Sequence, residues 1–192
     1  MKCEHYVYGA YMAFFIILVG LIFVTPFLAF DHDVNYLYDA FGQTCHQKLS
    51  RSLCVMSDSD SFWIADCTPQ NGEYVKGLSD RKPITVSGDG YIGYKIPVCA
   101  RDIGLYVAML LGGAIYPIVR DMKDKRMYPV IYLLLAMVPI ALDGGIQFIS
   151  DAGFVAFAYE STNLIRLITG GIAGVVASIY AIPVLMNMFC RD

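Results

Sequence analysis

Four long apolar runs constrain the fold of this chain more than any other feature of its sequence. They cover residues 8–30, 103–119, 127–149 and 164–189. A helix needs roughly 20 apolar residues to cross the hydrocarbon core of a bilayer, and each run is close to that length. The only charges inside them are Asp143 in the third run and Arg166 in the fourth. We therefore predict an all-α membrane protein with four transmembrane helices, built as a single integral membrane domain over residues 1–192.

The composition supports a lipid environment and argues against a nucleic-acid partner. Hydrophobic residues make up 57% of the chain, and the net charge is only -3, which gives nucleic acid no electrostatic basis for binding. Residues 8–30 are longer than the 7–15 apolar residues typical of a signal peptide, so we expect them to be a retained span. The expected partner is membrane lipid, with a membrane-protein partner or a homo-oligomer as further options.

Short loops predict the orientation of the spans. The loop at residues 120–126 carries Arg120, Lys123, Lys125 and Arg126. Cytoplasmic loops are enriched in Lys and Arg, so we expect this loop and both termini to face the cytoplasm of a prokaryotic cell. Residues 31–102 and 150–163 are then extracytoplasmic segments of a multi-pass protein of the cell membrane.

The extracytoplasmic segment 31–102 contains two different patterns. Residues 34–53, "VNYLYDAFGQTCHQKLSRSL", place apolar side chains three and four residues apart, which predicts an amphipathic helix on the membrane surface. Residues 57–95 contain β-like runs separated by turn signals such as "SGDG". We predict a small β-hairpin insert over residues 57–95.

Polar residues are predicted to converge at the outer ends of the spans. Asp143 and Gln147 are four residues apart and share one helix face, and charged residues at membrane depth are functional candidates because they are costly to bury. The candidate substrate-binding residues are Gln47, Arg51, Arg101, Gln147, Asn163 and Arg166. The candidate catalytic residues are His46, Asp143 and Glu160. An Asp143–Arg166 ion pair that only holds two helices together is the structural alternative.

The cysteines allow two interpretations. Four of them, Cys45, Cys54, Cys67 and Cys99, fall in the extracytoplasmic segment, where disulfides persist. We expect Cys45–Cys99 and Cys54–Cys67 disulfides, and we expect Cys3 and Cys190 to be unlinked at the cytoplasmic side. The alternative is a metal site, with zinc as the cofactor. Its ligands would be Cys45, His46, Cys99 and Asp102.

Five motifs occur in order: "CHQ", "SRS", "CARDIGLY", "LDGGIQ" and "ESTNLIRLITGG". Together they resemble a family of small prokaryotic polytopic membrane proteins of unknown function, from about residue 45 to 171 outside the insert. Members of that family often have a second cysteine where this chain has Asp102. The "DGGIQ" and "NLIRLITG" portions are also distantly similar to VanZ-type membrane proteins. The resemblance implies a membrane protein and adds no reaction.

Three functions fit these residues. The first is an enzyme or binding protein that acts on an anionic lipid head group at the outer leaflet, because guanidinium groups bind phosphate in a bidentate manner. In that case Asp143 or Glu160 would be the general base and His46 the acid or a metal ligand. The second is a small-solute transporter subunit with helices interrupted by Gly and Pro. The third is a membrane scaffold or assembly subunit that docks a partner through the hairpin insert, with Phe62, Trp63 and the Tyr91–Tyr94 pair as anchors.

Overall fold

The chain folds into two compact units, which we describe separately. The computed structural model describes residues 3–43, 45, 49–58, 61–67, 85–88, 91–154 and 159–190. The sheet unit is Gly20–Ala100, and the helical unit comprises Met1–Val19 and Arg101–Asp192. The helices are α1 (Cys3–Leu28), α2 (Asn35–Gly42), α3 (Ala100–Val119), α4 (Val130–Asp151) and α5 (Asn163–Phe189). The strands are β1 (Leu53–Ser57), β2 (Phe62–Asp66), β3 (Thr85–Gly88) and β4 (Tyr91–Lys95), and a 3-10 turn covers Leu49–Arg51.

Four of the helices, α1, α3, α4 and α5, are long and apolar enough to cross a membrane. The predicted fold class, four spans with a small β insert, is therefore confirmed. Each span is one continuous helix, although a single proline lies inside each of them. Transmembrane helices tolerate proline because neighbouring groups satisfy the freed backbone.

The sheet unit contains a four-stranded antiparallel sheet in the order β2-β1-β4-β3. Strand β1, one of the two inner strands, is buried at Cys54, Val55 and Met56, and Cys54 pairs with Cys67 in a disulfide, as predicted. On α2, the buried Tyr38 hydroxyl donates a hydrogen bond of 2.5 Å to the carbonyl of Lys95 at the end of β4. This bond ties the short helix to the end of β4.

The amphipathic helix predicted over residues 34–53 is wrong in its extent. Helix α2 ends at Gly42, and β1 has begun by Leu53. The apolar spacing continued through Cys45, but Gly42 favours a helix end, and the sheet recruits Leu53–Ser57 as its central strand. The β region accordingly begins before the predicted boundary at residue 57.

The helical unit is held together by close contacts between helix backbones. A Cβ placed on Gly104 would lie 2.3 Å from the carbonyl oxygen of Leu167, and one on Gly174 would lie 2.3 Å from that of Leu105. Helices α3 and α5 therefore cross at a distance that only glycine permits. Small residues of this kind allow close packing of membrane helices.

Helix α1 joins this pair through tyrosine hydrogen bonds. The Tyr8 hydroxyl donates to the carbonyl of Gly113 at 3.1 Å, and the Tyr11 hydroxyl donates to the carbonyl of Met109 at 3.0 Å. Cys3 and Cys190 form a disulfide that links the start of α1 to the end of α5. The expectation that these two cysteines are unlinked is wrong, because packing brings the two helix ends together.

Candidate functional site

Buried polar residues of the helical unit concentrate at the helix ends that lie away from the 120–126 loop. The buried set is Asp143, Gln147, Ser161, Asn163, Arg166, Thr169 and Ser178. All except Ser178 lie in the second half of α4, just before α5, or in the first two turns of α5. Helix α4 runs away from the loop and α5 returns toward it, so these positions share one end of the unit.

The first part of the site is an ion pair between α3 and α4. The guanidinium of Arg101, in the first turn of α3, donates a hydrogen bond to the Asp143 carboxylate. Gly144 makes room for it, because a Cβ there would lie 3.1 Å from an Arg101 terminal nitrogen. The Arg101 Nε atom is buried and has no hydrogen-bond partner among the described residues.

Two residues that precede α5 also hydrogen-bond to Asp143. The Tyr159 hydroxyl donates to Asp143 Oδ1 at 2.9 Å, and the Ser161 side chain forms a further hydrogen bond to the same carboxylate. Donation to a carboxylate favours the protonated phenol, so the pKa of Tyr159 is raised above its ordinary value. Because the folded pKa is raised, this contact stabilises the folded state below pH 10 and is lost as the pH rises through the raised pKa.

The second part of the site surrounds Arg166 on α5. Its side chain is only 1% exposed, and it donates a hydrogen bond of 3.2 Å to Asn163 Oδ1. Glu160 forms an ion pair with it at 3.9 Å and is 58% exposed. This separation exceeds the 2.7–2.9 Å typical of a direct charge-assisted hydrogen bond.

Residues 159–163 connect the two parts of the site, because some of their side chains contact Asp143 and others contact Arg166. Tyr159 and Ser161 contact Asp143, whereas Glu160 and Asn163 contact Arg166. We call the group the polar cluster. It comprises Arg101, Asp143, Tyr159, Glu160, Ser161, Asn163 and Arg166. An extended segment can serve two neighbours in this way because successive side chains point in opposite directions.

The structure brings together most of the sequence-predicted site residues. Arg101, Asp143, Glu160, Asn163 and Arg166 belong to the polar cluster, and Gln147 is buried one turn after Asp143 on α4. The described contacts do not include the alternative, an Asp143–Arg166 ion pair. Asp143 pairs with Arg101, and Glu160 is an ion-pair partner of Arg166.

The other predicted residues lie elsewhere. Arg51 lies at the end of the 3-10 turn in the sheet unit. His46 and Gln47 fall outside the described residues. Sequence reasoning missed Tyr159 and Ser161, although their position on either side of Glu160 could have indicated them.

The predicted Cys45–Cys99 disulfide is not formed in the structure. Both residues belong to the sheet unit, their sulfur atoms lie within 4.8 Å of each other, and the backbone N–H of Cys99 donates to Cys45 Sγ at 3.2 Å. Asp102, another side chain with metal-ligand chemistry, lies in the first turn of α3. Within the sheet unit, two cysteine sulfurs at this separation have the chemistry to bind a metal ion.

Comparisons with known proteins agree with this picture of a membrane protein. Residues 91–180 match the family described as "Predicted membrane protein (DUF2085)". The chain is also 38% identical over 177 residues to the uncharacterized protein MJ1492 of Methanocaldococcus jannaschii, covering 92% of this chain and 91% of that protein. No solved structure matches the chain. The chain therefore belongs to this family of predicted membrane proteins.

Proposed function

We propose that the polar cluster binds the anionic head group of a membrane lipid. The observation that carries this proposal is the state of Arg101. One of its terminal nitrogens is held by Asp143, its side chain is partly exposed, and its Nε donor has no hydrogen-bond partner among the described residues. A buried donor without a partner costs about 1–3 kcal/mol, which a phosphate oxygen on Nε would recover after a small side-chain movement.

Arg166 supplies the second positive charge of the proposed site. Its ion pair with Glu160 is long, and the Glu160 carboxylate is largely in solvent. Because Glu160 is 3.9 Å away, it makes no direct charge-assisted hydrogen bond to the guanidinium. We infer that a phosphate oxygen replaces Glu160 as the anion beside Arg166, while the hydrogen bond from Arg166 to Asn163 stays in place.

The geometry favours binding over general-base chemistry at Asp143. The carboxylate accepts hydrogen bonds from Arg101, Tyr159 and Ser161. Arg101 and Tyr159 donate to different oxygens of the carboxylate, so each oxygen is already engaged by a protein donor. We assign Asp143 the role of holding Arg101 in place for the ligand.

Lipid can reach this end of the unit laterally. Large apolar side chains on the second half of α4 are exposed: Leu142, Ile146, Phe148 and Ile149. In a bilayer this surface faces acyl chains, so a head group above it lies level with the polar cluster. The ligand would thus diffuse in the plane of the membrane and would need no pore.

We place the polar cluster on the extracytoplasmic side, because the basic 120–126 loop lies at the other end of the same helices. The Cys3–Cys190 disulfide lies near that loop, since Lys125 Nζ donates to the Cys190 carbonyl at 2.7 Å. Cytoplasmic disulfides are known in hyperthermophilic archaea and bacteria. In such organisms, both the basic loop and the Cys3–Cys190 disulfide can lie on the cytoplasmic side of the membrane.

The Arg101→Gln variant tests the proposed function. We expect it to weaken binding of short-chain phosphatidylglycerol about 10- to 100-fold, because a hydrogen bond to a charged group contributes about 1.5–3 kcal/mol. The matched control is Arg120→Gln, at the other end of α3, where Arg120 pairs with Asp124. We expect the control to bind like the wild type. Titration of the detergent-solubilised protein by native mass spectrometry measures both.

Two further arms sharpen this experiment. Arg101→Lys keeps a positive charge beside Asp143 but removes the Nε donor, so we expect it to bind more weakly than the wild type and more tightly than Arg101→Gln. Inorganic phosphate in place of the lipid separates recognition of phosphate from recognition of a lipid. Equal binding by Arg101→Gln, Arg101→Lys and the wild type would remove Arg101 from the site.

We propose secondly that Cys45 and Cys99 bind a zinc ion. Two sulfurs within 4.8 Å suit a common metal ion, and donation from the Cys99 N–H to Cys45 Sγ at 3.2 Å favours the thiolate that a metal requires. Zinc prefers four ligands that include thiolates. The two cysteines would supply half of them.

Metal titration tests the zinc proposal. We expect Co²⁺ added to the purified protein to give sulfur-to-metal charge-transfer absorption that Zn²⁺ displaces and that Cys45→Ser or Cys99→Ser abolishes. A Cys3→Ser/Cys190→Ser double variant should retain the absorption. In the wild type, Zn²⁺ should also protect Cys45 and Cys99 from alkylation, as read by peptide mass spectrometry. A Cys45–Cys99 disulfide in the peptide map, or alkylation that Zn²⁺ does not slow, would contradict the proposal.

A further inference from the structure

The β2 strand presents an exposed apolar edge in the sheet unit. Among the described residues, it is the end strand of the sheet, and its one paired neighbour is β1. Three consecutive residues on it are largely exposed: Phe62 is 59%, Trp63 38% and Ile64 53% exposed. An exposed apolar edge strand in water invites aggregation, so this surface needs an environment other than bulk water.

The end of α1 continues the same apolar surface. The Phe62 ring lies 5.5 Å from the ring of Phe27 and 5.6 Å from that of Phe30, between ring centroids. Phe27 and Leu28, in the last turn of α1, are themselves exposed. Because α1 is long and apolar enough to cross a membrane, its lipid-facing surface extends without a break onto β2.

We propose that the tip of the sheet unit formed by Phe62, Trp63 and Ile64 inserts into the interfacial layer of the bilayer around the end of α1. Aromatic side chains favour this layer. The depth of insertion is limited by the carboxylates of Asp58 and Asp66, which flank the apolar residues and are costly to move away from water.

The continuity with α1 favours lipid as the occupant over a second copy of the chain. A partner protein would have to cover Phe62 while leaving Phe27 and Leu28 in lipid, although Phe27 and Phe62 are in ring contact. The bilayer covers both at once. The flanking carboxylates add no attraction to anionic lipid, so the interaction requires only a neutral bilayer.

Trp63 makes this proposal directly measurable, because it is the only tryptophan in the chain. We reconstitute the wild-type protein in nanodiscs of phosphatidylcholine whose chains carry bromine either near the head group or near the chain end. Bromine near the head group should quench Trp63 fluorescence roughly twice as strongly as bromine near the chain end, because tryptophan favours the interfacial level.

Two variants show whether the bromine quenching depends on Phe62 and Ile64 or on any exposed side chain of the sheet unit. The Phe62→Ser/Ile64→Ser protein should lose most of the bromine quenching, whereas Tyr36→Ser, an exposed aromatic on α2, should keep it. Quenching of the wild type by aqueous acrylamide but by neither brominated lipid would overturn the proposal and place the tip in water. Emission unaffected by all three quenchers would also overturn it and indicate a protein partner.

Discussion

The Gly170→Ala variant is expected to unfold at a much lower temperature than the wild type. A Cβ at position 170 would lie 2.1 Å from the carbonyl oxygen of Arg101 and 3.1 Å from its carbonyl carbon. Both atoms belong to a helix backbone, so no flexible side chain can move aside and α3 must shift away from α5. Overpacking of this kind costs typically 1–3 kcal/mol, occasionally more.

The neighbouring glycine is the matched control. A Cβ on Gly171 would meet only the Gly104 carbonyl oxygen at 4.0 Å, which is ordinary contact. Alanine is a better helix former than glycine by about 1 kcal/mol, so Gly171→Ala should match or exceed the wild type. Thermal unfolding in detergent, followed by circular dichroism, compares the two. Equal melting temperatures for the two alanine variants would show that the α3–α5 crossing is looser than described.

The second large effect is expected from Asp143→Leu. The variant removes the carboxylate that pairs with Arg101 and leaves a guanidinium in a mostly buried environment. Breaking a buried pair in this way costs about 3–5 kcal/mol, because the remaining charge is uncompensated. The i,i+4 pair Arg120–Asp124 provides the control, because Asp124 is 39% exposed and Arg120 keeps its contacts with the Arg126 carbonyl and the Tyr128 ring when that carboxylate is lost. Asp124→Leu should therefore cost much less stability than Asp143→Leu.

A double variant distinguishes charge from packing. Replacement of both partners, Asp143→Leu with Arg101→Met, removes the unpaired charge and should recover most of the stability lost by Asp143→Leu alone. The free energy of unfolding of the two single variants and the double variant gives the coupling directly. If the double variant is as unstable as the sum of the single variants, Arg101 and Asp143 do not act as a pair.

The spans and the level of the polar residues could be predicted from the sequence, because both follow from local patterns. Runs of apolar residues fix helix length, and the spacing of Asp143 and Gln147 fixes a common face. Helices α4 and α5 run in opposite directions along the chain, so Asp143 and Arg166 are expected at the same end of the helical unit. Each of these inferences needs only the chain near the residue concerned.

The pairing of side chains could not be predicted in the same way. Whether Asp143 meets Arg101 or Arg166 depends on the rotation of α3, α4 and α5 about their axes, and the close glycine contacts of α3 with α5 set part of that rotation. The Cys3–Cys190 disulfide likewise depends on where two distant helix ends meet. The end of α2 at Gly42 could not be predicted from the apolar spacing, because that spacing continues through Cys45.

The central claim is that the polar cluster holds a lipid phosphate, and a structure of the protein in nanodiscs of anionic lipid tests it most directly. A cryo-EM map of the wild type in phosphatidylglycerol nanodiscs should show phosphate density within hydrogen-bond distance of Arg101 Nε, with Glu160 displaced from Arg166. Density for ordered lipid elsewhere, with Arg101 held by Asp143 and no phosphate beside it, would contradict the claim.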